Sequence, residues 1–334
     1  MHAENGMFHL VLSFRTHGKE LCKTVASAMA LGYPLPSLLQ LQSRRSPEYT
    51  LLADIDMNLE AINGFRPEGD HDLMLLMDSS NAWFQLRPQV MLSRYYEHNT
   101  ARSMSQTILL AGQLSSDNET DVKLASMDAV LGTVGAIRAL MNSIRSLAAA
   151  EPKFNNMYEV IAHLMDTQQT TNTKSSKARV PAYNFRFDMN VISSADSKLI
   201  QGPVMDKTLK ELARAKPPYW SMTSNELANG ATWERRPLRM NSKAGVVPAI
   251  VMHERDGHEA ERVWSKTWFS RALAPLWQTE RQMPMAPVAF AGGRFWWPHR
   301  HGTEEYQVFI KGDRRLMDEH SVCGDSLEDT LSGQ

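Results

Sequence analysis

The stretch LMLLMDSSNAWFQL, residues 73–86, decides the fold. Five apolar residues, Leu73 to Met77, run into Asp78, and two serines, an asparagine and an aromatic pair follow. An apolar run of this length bounded by polar residues fits a strand buried on both faces, as in a sheet covered by helices. In open α/β sheets ligands bind where loops converge at the carboxyl ends of strands, and Asp78 stands at such an end. A strand-terminal Asp is also a common turn or cap residue, so position alone leaves both roles open.

The flanking sequence supports an α/β reading. MFHLVLSF (7–14) is expected to form a buried strand. In KELCKTVASAMALGYP, Leu21, Val25, Ala28 and Leu31 recur near helical spacing until Gly32 and Pro34 stop the helix. Strand, short loop and helix in succession is an α/β signature. DIDMNLEAING (54–64) is expected to be a helix with Asp54 or Asp56 as its cap, and SQTILLAG (105–112) a strand. DAVLGTVGAIRALMNSIRSLAAAE should hold a short strand, a glycine-bearing turn and a helix, with another helix over 156–165. Residues 167–183 are polar and poor in large apolar side chains, which predicts a mobile loop. NFRFDMNV (184–191) and GVVPAIVMH (245–253) fit strands, and 258–277 fits one amphipathic helix. No internal repeat or linker divides the chain, so one domain over 1–311 is expected, with a flexible tail over 312–334.

Bulk composition narrows the function classes. Basic and acidic residues balance at 36 against 37 in 334. The electrostatic footprint of a nucleic-acid or anionic-membrane binder is therefore missing, and neither partner is expected. Two cysteines, Cys22 and Cys323, make no disulfide framework and suggest a reducing setting. The first residues, MHAENGMFHLVLSF, lack a basic leader, and no window approaches 18 apolar residues, so a cytoplasmic location is expected. The 20 methionines suit irregular core packing or an adaptable apolar pocket.

Several blocks, in one order from about residue 8 to 277, resemble a group of fungal glycosyltransferase-like proteins. FHLVLSFRTHGKELCKTVASAMALGYPLP is similar to their opening strand, Cys-Lys-Thr helix and Leu-Gly-Tyr-Pro. DHDLMLLMDSSNAWFQLRPQVMLSRYY resembles their Asp-x-x-Asp segment followed by Trp-Phe-Gln-Leu-Pro-Pro and Arg-Tyr. AVLGTVGAIRAL resembles their Gly-x-x-Gly-x-x-Arg-x-Leu segment. PLRMNSKAGVVPAIVMHERDGHEAERVWSKTWF resembles their last strand, metal-binding His and Trp-rich helix. The resemblance implies a GT-A fold: a single Rossmann-like mixed sheet flanked by helices, binding a nucleotide-sugar. It further implies Mn²⁺ or Mg²⁺ bridging the diphosphate of a UDP- or GDP-sugar as the leaving group departs. Such hard cations take oxygen ligands, so Asp78, the Asn81 position and His253 are the implied metal set. Ser13, Phe14, Arg15, Ser79 and Ser80, at the two strand ends, are the implied cofactor-binding positions. A small-molecule substrate of fungal secondary metabolism is the expected acceptor.

The chain also departs from that pattern. Asn81 replaces the second carboxylate, and Ala125 to Asp128 replace a Leu-Asn-Ser-Gly turn. Asn155, Asn156 and Met157 stand where the relatives have Ser-Asp-Gln. In HERDGH, His258 falls near a lysine position while Glu254 and Asp256 add negative charge. A second reading therefore takes the same cavity for metal-free acid–base work, an isomerisation or cyclisation of a hydrophobic metabolite, with no cofactor. Asp78, Asp128, Asp188, His253 and His258 would be its catalytic set, since carboxylate–imidazole groups serve as acids and bases near neutral pH. A third reading is a non-catalytic protein that binds a partner. His299, His301 and Glu304 form a weak metal-clip pattern, and Trp296 and Trp297 are a candidate lid over the cavity.

Overall fold

The computed structural model describes residues 6–43, 45–46, 49–65, 69–80, 82–88, 90–92, 95, 107–114, 122–171, 184–188, 191–193, 197–200, 238–241, 247–252, 257–267, 270, 273–282, 288–289, 295–298, 306–310, 313–324 and 326–332. In chain order, β1 (Gly6–Phe14), α1 (Lys19–Ala30), β2 (Ser37–Gln40), α2 (Leu51–Asn63), β3 (Leu73–Asp78) and β4 (Ala82–Phe84) open the fold. Then come β5 (Thr107–Leu114), β6 (Val122–Thr133), α3 (Val134–Ala150), α4 (Met157–Thr171), β7 (Asn184–Asp188), β8 (Val191–Ser193) and β9 (Ser197–Ile200). β10 (Leu238–Asn241), β11 (Ile250–Met252), α5 (Gly257–Trp264), α6 (Leu273–Gln282), β12 (Val288–Ala289) and β13 (Phe295–Pro298) follow. β14 (Tyr306–Ile310), β15 (Asp313–Met317), α7 (Glu319–Cys323) and α8 (Ser326–Ser332) complete them.

A mixed sheet runs in the order β15-β14-β2-β1-β3-β6-β5-β7, with β13 beside β1 and β12 beside β13. β1 is parallel to β2 and β3, whereas β6 is antiparallel to β3. This is the helix-flanked, Rossmann-like mixed sheet that the resemblance implies. Side chains alternate across it, as the pleat requires. Phe8, Leu10, Leu12 and Phe14 of β1, with Leu73, Leu75 and Met77 of β3, join the core on the α1 side. Val11, Met74 and Leu76 face the opposite core under α2, α3 and α4. Both faces are buried, which explains why the 73–77 run never alternates with polar residues.

Several elements differ from expectation. α2 begins at Leu51, and the hydroxyl of Thr50 caps it by accepting from the Ala53 N–H at 3.0 Å. Asp54 and Asp56 lie inside the helix instead. β6 is long and passes straight into α3 without a turn. Gly135 lies in the first turn of α3, its N–H donating to the Asp70 carbonyl, and a Cβ there would sit 3.2 Å from Asp70. The segment 258–277 forms two helices, because the Ser265 and Thr267 hydroxyls turn back onto the Arg262 and Trp264 carbonyls and end α5. α4 reaches Thr171, and the rest of the 167–183 stretch lies outside the described residues.

The tail beyond Lys311, expected to fray, carries β15, α7 and α8. β15 pairs along its whole length with β14. Asp318 caps α7 by accepting from the Ser321 N–H at 2.7 Å. Cys323 on α7 is disulfide-bonded to Cys22 on α1 across 301 residues of sequence, with Cα atoms 5.0 Å apart. The expectation that the two cysteines are unbridged is thereby corrected, and with it the argument for a reducing setting. Spacing could not show this, because the pairing depends on where the tail docks. No helix among the described residues is long and apolar enough to cross a membrane.

Candidate functional site

The carboxyl ends of β1 and β3 lie side by side, with Ser13 in register with Asp78. The chain leaving β3 is stitched to β1 by Ser79, whose N–H and hydroxyl donate to the Ser13 carbonyl at 2.8 and 2.9 Å. The Ser13 hydroxyl donates in turn to the Met77 carbonyl at 3.3 Å. Asp78 is half-buried, and one of its oxygens accepts from the Ser80 N–H at 2.8 Å. That bond closes a tight Asx turn and leaves the second oxygen without a described protein partner.

Arg15 extends from the end of β1 toward α2. Its Nη2 donates to Asp54 Oδ2 at 2.6 Å, and its Nη1 donates to the Gln42 carbonyl. The guanidinium lies 5.6 Å from the Tyr49 ring centre. The Asp54 side chain is 2% exposed and that of Arg15 is 15% exposed. A carboxylate buried this deeply needs such a partner, since an isolated buried charge is costly. Arg15 Nε and Gln42 Oε1 are buried without a hydrogen-bond partner among the described residues.

These groups front a cleft between β1, β3, α2, α3 and the start of α4. Asn58, Met77, Met141, Met157 and Tyr158 supply much of its wall. It is narrow, with about 30 Å³ of free space inside an envelope of about 540 Å³. Arg15 and Leu41 separate it from a second opening of about 380 Å³ beside Gln42, Ser43 and Ser46. Asn156 caps α4 by accepting from the Glu159 N–H at 3.1 Å, while its amide donates to Glu159 at 2.9 Å. Both ends of the amide are thus used, with Glu159 also accepting from the Asn155 N–H at 2.8 Å, which accounts for the amide at this position.

The sequence-named residues divide into groups. Ser13, Arg15 and Asp78 line the cleft. Ser79 is fully buried and spent on the β1–β3 stitch, and Ser80 supplies a backbone donor to Asp78. Phe14 is buried in the α1-side core, its ring edge-on to His17, and does not line the cleft. Asp128 follows Met127 in β6, next to Ala129, which pairs with Met77. The backbone thus brings positions 78 and 128 alongside each other. Asp188 ends β7 opposite Ala111, itself opposite Ser126. His258 is the second residue of α5. Asn81, His253, His299, His301 and Glu304 lie outside the described residues. Met252 pairs with Ala82, so β11 ends beside the segment that follows Asp78.

Trp296 and Trp297 are not placed as a lid over this cleft. They pair with Gly6 and Met7 at the amino end of β1, whereas the cleft is at its carboxyl end. Gly132 and Arg138 belong to that far end too. Gly132 pairs with Met74, and Arg138 is ion-paired to Asp70. Asp54, Asn58, Tyr49 and Tyr158 are cleft residues that the sequence reading missed. The signal for Asp54 was periodic, because it falls on the same stripe as Leu51, Ile55, Asn58 and Ile62.

No known protein family matches the sequence. No curated protein matches it either. Among solved structures, the chain is similar to the galactosyltransferase LgtC in complex with donor and acceptor sugar analogues, at 8% identity and a TM-score of 0.35, with 83% of this chain and 98% of that chain covered.

Proposed function

We propose that the cleft at the carboxyl edge of β1 and β3 takes the nucleoside diphosphate part of a UDP- or GDP-sugar, and that the protein is a divergent glycosyltransferase-like enzyme acting on a small molecule. The convergence of Ser13, Arg15 and Asp78 at adjoining parallel strand ends, with Asp54 of α2 paired to Arg15, carries this reading. Arg15 supplies a planar cation suited to phosphate oxygens, and its side chain keeps 15% of its surface exposed where it lines the cleft.

A bound Mn²⁺ or Mg²⁺ would supply charge neutralisation at the leaving diphosphate. The described donors fit such a cation in part. Asp78 offers one carboxylate oxygen without a partner among the described residues, whereas Asp54 is paired with Arg15. Among the described residues no group of three His, Cys, Asp or Glu gathers. Asn81 and His253 would complete the set, which the pairing of Met252 with Ala82 supports. A set with one amide in place of a carboxylate holds a hard cation less tightly. Such a cation would depend on oxygen ligands from a bound diphosphate as well as on these residues.

A second reading rests on the apolar wall. Leu76, Met141 and Met157 line the cleft beside two carboxylates, an environment suited to acid–base turnover of a hydrophobic metabolite without nucleotide or metal. Calorimetry with UDP and GDP, each with and without Mn²⁺, separates the two. Metal-dependent micromolar binding, about −7 to −8 kcal/mol, supports the transferase. No heat with either nucleotide favours the second reading, and a metabolite-turnover assay on Asp78→Asn then tests it.

A further inference from the structure

Three successive residues of α1 each fasten a different part of the molecule. Thr24 places its hydroxyl 2.9 Å from the Ser79 carbonyl and against the Ala82 carbonyl, holding the segment that follows Asp78. Lys23, with no exposed surface, donates to Glu261 of α5 at 2.8 Å and to Glu20 at 3.1 Å. Cys22 is bonded to Cys323 of α7. The same short helix reaches the loop that follows β1. His17 Nδ1 lies 3.4 Å from the Val322 carbonyl, and His17 is two residues from Arg15. α7 thus touches both α1 and the loop from which Arg15 enters the cleft.

We propose that the Cys22–Cys323 bond is a redox-sensitive clasp that holds the C-terminal helices on α1 and thereby orders the two segments framing the cleft. The inference rests on the packing of α1 and α7 and is independent of which ligand the cleft takes. α7 has five residues, too few to persist as a helix without its dock. Cys22 is fully buried and Cys323 is 3% exposed, so α7 must lift before a reductant reaches the bond. Opening requires a dithiol. One thiolate attacks a clasp sulfur, the other cysteine leaves as thiolate and takes a proton, and the dithiol's second thiol displaces the mixed disulfide. Two electrons pass to the clasp, which ends as two thiols, and the dithiol ends as a cyclic disulfide. Closure in an oxidising compartment reverses the exchange.

Intact-mass measurement with N-ethylmaleimide under denaturing conditions tests the bond. Protein purified without reductant and exposed to glutathione disulfide should take up no label, then two labels after reduction. Two labels before reduction would overturn the proposal. Hydrogen exchange of the native protein, oxidised against reduced, tests the coupling. At short exchange times, before global unfolding contributes, reduction should speed exchange about tenfold or more in 319–332, in 15–18 and in the segment after Asp78, while α3 stays protected. A loosened tail with the two cleft segments unchanged would overturn the coupling. Equal loosening of α3 would do so too, since it would mark a general staple rather than a local clasp. Cys323→Ser, kept without reductant, should reproduce the reduced pattern.

Discussion

Asp54 illustrates how one buried charge organises a site. Its carboxylate is enclosed by α2 and answered by Arg15, whose other contacts reach Gln42 and Tyr49. Arg15→Ala would strand that carboxylate, and a loss of about 3 kcal/mol in urea unfolding is expected. Pairing Arg15→Met with Asp54→Leu should restore most of the stability, because an apolar pair can replace a buried ion pair. Nucleotide binding should stay weak in the double variant, which separates the structural role of Arg15 from its role toward ligand. The sequence concealed this pair. Asp54 stands in an Asp-x-Asp motif near a helix start, where capping is the usual role, and only the helical stripe through Ile55 and Asn58 hinted at burial. Asp78 was legible because an apolar run pointed straight at it. The partners that surround it come from α2, α3 and α4, distant in sequence, and no local pattern names them.

Among the elements, α1 carries three fastenings in succession, at Cys22, Lys23 and Thr24. Thr24→Val keeps the shape of the side chain but leaves the Ser79 and Ala82 carbonyls short of a donor, at a cost of about 1–3 kcal/mol. Chemical denaturation measures that loss, and exchange in the segment after Asp78 should rise with it. α7 is held at its start by Asp318. The hydrogen bond from Ser321 keeps the Asp318 carboxyl below its ordinary value. A carboxylate depressed in the folded state adds stability that is present above its unfolded pKa and lost as pH falls through the folded one. Exchange protection of 319–323 should therefore fall on acidification below the ordinary carboxylate range, and less steeply in Asp318→Asn, where an uncharged cap replaces the carboxylate. The apolar runs of β1 and β3 and the helical spacing of α1 made those elements readable from sequence. The break between α5 and α6 was not. Hydroxyls of Ser265 and Thr267 end α5 through local hydrogen bonds, while the apolar spacing continues past them.

For the whole molecule, the clasp ties residue 22 to residue 323 and closes nearly the entire chain into a loop. On chain entropy alone a loop of that length would stabilise the fold by about 6 kcal/mol, an upper figure because compact unfolded chains lose less. Reduction should accordingly lower the denaturant midpoint, with Cys22→Ser giving the same shift without reductant. The two buried faces of the sheet followed from hydrophobic pattern, and its mixed, Rossmann-like character from the resemblance. The docking of β14, β15 and the last two helices did not, since their register depends on β2 and α1 rather than on their own periodicity. The central claim concerns the cleft at the carboxyl edge of the sheet. Its most direct test is calorimetry of UDP and GDP with Mn²⁺ on the wild type and on Asp78→Asn, a change that keeps an acceptor for the Ser80 N–H while removing the charge. Metal-dependent binding to the wild type, weakened by about tenfold or more in the variant, is the expected result. Absence of binding to the wild type, or equal binding to both proteins, would contradict it.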